Sequence, residues 1–203
     1  MADPTLPPPL PLGAPTAPPP GLTLQDGARL VGHHVWLETR LFEVLGGWVQ
    51  SVPEPEVKAH LATHSRRHAW HAELWHGHLP DVADIDADSL VAPPGDRADE
   101  ALAALAEPEP TIERLTGLYR VVLPRLVTAT SRVLARTSAV ADAALARSLR
   151  FVLGDDLDEW RDGEALLQAL LTGPDEIDRA TAHQAQLEKL VVALMPTLAP
   201  PGS

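Results

Sequence analysis

The chain of 203 residues contains no cysteine. That excludes disulfides, iron–sulfur clusters, thiolate zinc sites and a cysteine nucleophile. Aromatic residues are scarce, with one tyrosine, two phenylalanines and five tryptophans, so Leu, Ala and Val carry the apolar mass. Such a composition favours helices over sheets. Basic residues are few as well: 16 Lys and Arg stand against 28 Asp and Glu, for a formal net charge of −12. With no local basic patch, that balance argues against nucleic acid as a partner. No apolar run approaches the ~20 residues of a membrane span, and no basic segment followed by an apolar core marks a signal peptide. The expectation is a cytoplasmic protein without a membrane partner. A Gly-rich phosphate loop and a Gly-x-Ser-x-Gly elbow are also missing, which sets aside two common chemistries.

Proline crowds the start of the chain and histidine its middle. Residues 1–21, MADPTLPPPLPLGAPTAPPPG, are expected to be a disordered leader, because proline removes amide donors and fixes φ. The Pro-x-x-P run Pro8 to Pro11 gives that leader a means of docking on a partner's aromatic groove. The body is expected over residues 22–195, with a flexible tail at 196–203.

The stretch Pro55 to His78, PEVKAHLATHSRRHAWHAELWHGH, holds six of the nine histidines. His60, His64, His68 and His71 are spaced 4, 4 and 3 apart, so on a helix they form one stripe, and Val57, Leu61 and Trp75 share it. A helix that turns imidazoles toward its own core must supply each with hydrogen-bond partners or a metal. Glu73-x-x-His76, by contrast, points away from that stripe.

Four long helices follow from apolar periodicity. The first runs from the cap Thr23 to about Gln50 on the stripe Leu24, Ala28, Val31, Val35, Glu38, Phe42, Leu45 and Val49, flanked by Leu30, Leu37, Leu41 and Trp48. Glu38 is the one carboxylate in that stripe. The short linker Ser51 to Pro55 returns the histidine helix antiparallel to the first. Between Leu79 and Pro110 nine acids face the single base Arg97, a stretch long enough to cross the length of a bundle, with a short helix near Asp96 to Ala106. A third helix opens at Thr111 on Ile112, Leu115, Tyr119, Val122, Leu126, Ala129 and Val133, and Pro124 is expected to kink or split it. A fourth ends at Thr172-Gly173-Pro174. Its stripe, Leu145, Leu149, Val152, Asp156, Glu159, Leu166 and Leu170, contains two acids. A last amphipathic helix covers Asp175 to Met195.

Counting outward from each bend puts Glu38 level with His64 to His68, and Asp156 level with Tyr119. Whether the two layers meet depends on how the hairpins dock. On these residues the chain resembles the ferritin-like superfamily of dinuclear metal–carboxylate proteins, in which four helices turn Glu and Glu-x-x-His ligands inward. The resemblance implies an all-α, ferritin-like four-helix bundle with a long crossover between helices 2 and 3 and an additional C-terminal helix. It implies iron, dinuclear or mononuclear, held by Glu38, His68, His71, Asp156 and Glu159, with His64 and Tyr119 acting beside them. His68-x-x-His71 and Asp156-x-x-Glu159 then form an altered ligand set.

Two functions fit. One is an oxidase or oxygenase using O₂ or peroxide on a small organic substrate, with a homodimer as an admissible assembly. The other is a non-catalytic bundle in which the same residues form a buried His–carboxylate network and the protein serves as an interaction module. In the second, the carboxylates pair with imidazolium rings; separately from both, Asp156 and Glu159 have an alternative reading as part of a solvated acidic run with Arg161 as a neighbour. Arg66 and Arg67 are expected to pair with the acidic crossover, and His60 and His78 to be exposed.

Overall fold

The computed structural model describes residues 21–81, 86–108, 110–191 and 195. The proline-rich leader with its Pro8 to Pro11 motif lies outside the described residues, as does the tail at 196–203. Every long element among the described residues is helical.

Helix α1 spans Leu24–Ser51, and the Thr23 hydroxyl caps it by accepting the Asp26 amide at 3.0 Å. Val52 and Pro53 end it, and Pro55 opens α2, Pro55–His76, at a position where a missing amide costs nothing. The two helices pack along each other, and the Ser65 hydroxyl donates to the Phe42 carbonyl at 3.0 Å across the hairpin. The acidic connection carries a 3₁₀ turn, Ala87–Leu90, and helix α3, Ala98–Ala106. Leu102 and Leu105 anchor α3 in the core.

The next rod is continuous but not uniform: α4, Thr111–Thr116, passes through a π-helical turn, Gly117–Val122, into α5, Leu123–Leu134. Pro124 explains the wide turn. It has no N–H to donate back to Arg120, and its ring crowds that carbonyl. Widening relieves the crowding, and the Leu123 amide reaches five residues back to Leu118. The proline therefore widens the rod and does not split it. Helix α6, Ala143–Leu170, returns against α5, and α7, Pro174–Val191, docks on α3, α4 and the π turn.

The core falls into two apolar clusters. One gathers Leu30, Val31, Val35, Trp75, Val133, Leu149 and Val152. The other, larger, includes Leu37, Leu41, Leu45, Leu61, Leu115, Leu126 and Leu167. In α1, α2 and α6 the residues between the two sets are polar: Glu38, then His64 to His71, then Asp156 and Glu159. A polar layer is thus closed off by hydrocarbon above and below.

Four residues of the expected stripes leave the buried face. Phe42 is 42% exposed and Leu24 69%, so the inward face of α1 is the flank Leu30, Leu37, Leu41 and Trp48 together with Val31, Val35, Glu38 and Leu45. In α6 the buried line continues from Glu159 through Gly163 and Leu167, leaving Leu166 and Leu170 at the margin. Among the described residues no helix is long and apolar enough to cross a membrane.

Candidate metal centre

Glu38, His68 and His71 are buried and offer ligand atoms all within 4.8 Å of one another. The spacing of three puts His68 and His71 on one face of α2, and the antiparallel hairpin sets Glu38 of α1 opposite them. His68 Nδ1–H donates to Glu38 Oε2 at 2.6 Å, and His71 Nδ1 stands 3.7 Å from the same oxygen. Helix α6 closes the other side. Glu159 Oε2 lies 3.6 Å from His68 Nε2 and 3.9 Å from His64 Nδ1, and Asp156 is fully buried beside them. Tyr119, on the π turn, shares a hydrogen bond of 2.9 Å with His64 Nδ1. Gly163 makes room for that ring: a Cβ there would collide with it.

All seven residues expected from the sequence therefore come together. The solvated reading of Asp156 and Glu159 is overturned, since both are fully buried. Among the described residues Arg67 pairs with helix α6 and not with the acidic connection. Its guanidinium donates to Glu159 Oε1 at 3.1 Å. His60 is half-buried with its ring 3.8 Å from that of His64, and half-buried His78 bonds Ser148 at 2.7 Å. Glu73 and His76 are exposed as expected, His76 pairing with Asp88 at 2.9 Å.

Two members were not anticipated. Asp155 accepts a hydrogen bond of 3.0 Å from His71 Nε2–H, fixing that ring from behind while its Nδ1 faces the centre. His34 is buried one turn before Glu38, stacks on Trp75 at 4.5 Å between ring centroids, and has neither ring nitrogen hydrogen-bonded. The spacing His34-x-x-x-Glu38 is the signal that finds it.

Charge in the centre is divided unevenly. Burial pushes the Glu38 carboxyl up, but the hydrogen bonds and charges of His68 and His71 outweigh it and hold Glu38 ionised. Burial lowers His71, yet Glu38, Asp156 and Asp155 together raise it to about 9. His68 is raised against its burial by Glu159, Glu38 and Asp156. Asp156 goes well above the ordinary carboxylate range through burial and the Glu38 charge, and Glu159 rises through burial. Burial, with the neighbouring His60, His68 and Arg67, drops His64 to about 2, while burial drops His34 to about 4. Without a metal, then, the shifts favour charged rings on His68 and His71 beside an ionised Glu38, and the protonated form of Asp156.

Neither protein-family models, curated proteins nor solved structures match this chain. The reading rests on the donor set itself. Glu38 Oε1, His68 Nε2, His71 Nδ1, both oxygens of Asp156 and Glu159 Oε2 are buried without a hydrogen-bond partner. Orphaned polar atoms in a low-dielectric interior are costly one at a time, and native proteins rarely tolerate several together. Here six lie on five side chains of one layer, and every one is a nitrogen or oxygen able to ligate.

Proposed function

We propose that this protein is a ferritin-like metal-binding bundle whose polar layer holds a non-haem iron centre with oxidase-type activity toward a small molecule. The observation that carries the reading is the set of six orphaned donor atoms on Glu38, His68, His71, Asp156 and Glu159. Two imidazoles and a carboxylate within 4.8 Å are the donor types that suit Fe(II) while leaving coordination positions open. Asp155 behind His71 is the carboxylate–histidine arrangement that orients a ligating imidazole. Iron bound there would supply one-electron chemistry toward O₂ or peroxide.

The chain's own contribution is positioning and charge. Glu38 draws His68 and His71 to one point, and the apolar clusters on either side keep bulk water from the layer. His64, held neutral by its burial, shares the Tyr119 hydrogen bond and fixes the phenol beside the layer. Iron identity, the ferritin-like relationship and the oxidase activity belong to this proposal.

A second reading, a metal-free network that fixes helix register, draws support from the short Glu38–His68 bond and the His71–Asp155 bond. Elemental analysis after anaerobic Fe(II) loading and desalting separates the two. Retained iron that is lost in Glu38→Ala supports the centre. Less than about 0.2 equivalents of any transition metal, unchanged by that substitution, refutes it, because removing a ligand abolishes a functional site.

A further inference from the structure

We propose that Arg67 stands in the place of a second cation and limits this centre to one metal ion. The inference rests on the metal reading above and decides what that reading leaves open, the number of ions. Arg67 precedes His68 on α2, is 31% exposed, and reaches inward to Glu159, which is fully buried. Its guanidinium binds Glu159 Oε1 at 3.1 Å. The other oxygen, Oε2, has no hydrogen-bond partner and faces His68 Nε2 at 3.6 Å. A carboxylate that bridges two ions with one oxygen on each needs both oxygens. Here one is committed to a group that does not lose its proton in proteins, so Glu159 is left as a one-oxygen ligand.

The charge count leads to the same number. Metal binding requires deprotonated ligands, so Glu38, Asp156 and Glu159 together bring three negative charges. One divalent ion and Arg67 match them. A second divalent ion would leave two positive charges uncompensated in a layer flanked by apolar clusters, where unpaired charge is strongly disfavoured. Asp155, 26% exposed, is turned to the rear nitrogen of His71. Arg67 is reached from outside through an open cleft of about 480 Å³ lined by Arg66, Ala69, Trp70 and Glu73.

The test is metal stoichiometry in three full-length proteins loaded with Fe(II) anaerobically and desalted. Wild type and Arg67→Lys, which keeps the charge, are expected to retain about one ion per chain, and Arg67→Met about two. Arg67→Met that is folded by circular dichroism and still holds one ion overturns the inference. So does a wild type that holds two, and this outcome leaves the metal reading intact. A wild type that binds none refutes the metal reading and this inference with it. Electron paramagnetic resonance of Mn(II)-loaded wild type needs no variant to fold: the spectrum of an isolated ion is expected, and that of a coupled pair overturns the proposal.

Discussion

Replacing Glu38 by glutamine keeps the shape of the side chain and removes the charge that two imidazolium rings share. Glu38 Oε2 accepts from His68 at 2.6 Å and lies 3.7 Å from His71 Nδ1, with all three side chains fully buried. Removing one member of such a group leaves the others charged and unmatched, at a typical cost of about 3–5 kcal/mol. The rise of His71 from 6.5 to about 9 gives a second measure. It amounts to about 3 kcal/mol of preference for the charged ring, and Asp156 and Asp155 contribute to it with Glu38. We therefore expect Glu38→Gln to lose about 3 kcal/mol at pH 7, or a Tm about 6–12 °C lower for a domain of this size. The assay is thermal or urea unfolding of both proteins with a chelator present, so that only the metal-free network is compared.

The pH dependence has a definite sign. A raised His71 stabilises the fold fully below 6.5, and that stabilisation is lost as pH rises through about 9. A depressed Glu38 stabilises it above the ordinary carboxylate range, and the effect is lost as pH falls through the lower folded value. The difference between wild type and variant should then be level between about pH 5 and 6.5, decline steadily above that and become small toward pH 10. A difference under about 1 kcal/mol at pH 7, within the range of an ordinary surface substitution, refutes this account of the network. A difference that widens between pH 8 and 10 does the same.

Two further outcomes are expected. Loading the centre at pH 7 should release about three protons per ion, one each from His68, His71 and Asp156. Calorimetric titration in buffers of different ionisation enthalpy measures this, and release near zero would contradict the charge assignments. Gly163→Ala should cost about 1–3 kcal/mol by overpacking against the Tyr119 ring. Because Tyr119 is the only tyrosine, its ultraviolet titration reports the site directly. Burial, with the Glu159 and Asp162 charges, holds it well above the ordinary range in wild type. In the alanine variant it should ionise at lower pH, and identical titrations would show that the ring had not moved.

Much of the centre was legible as conflict between residue type and position. Histidines at steps of 4, 4 and 3, one glutamate in an apolar stripe and two acids on an inward face are each locally unfavourable, and their heights agreed before any docking was known. What sequence could not supply was the rotation of one hairpin against the other, which brings Glu159 to His68 and Tyr119 to His64. His34 was hidden because the adjacent Val35 satisfied the apolar period. Gly163 gives no hydropathy signal, although its missing side chain is what seats Tyr119. The acidity of the 79–110 connection makes it the obvious partner for Arg67 in sequence, whereas burial makes Glu159 the acid most in need of a cation.

The wide turn at Gly117–Val122 is a surplus of one residue in the screw of its rod. An ordinary α-helix advances 100° per residue. A chain lacking a single residue there would wind regularly and turn Ile112 and Leu115 by about that angle relative to Leu126 and Val133, which now share their buried side. Length in this turn is therefore fixed to the residue, even where the identity of a side chain is not.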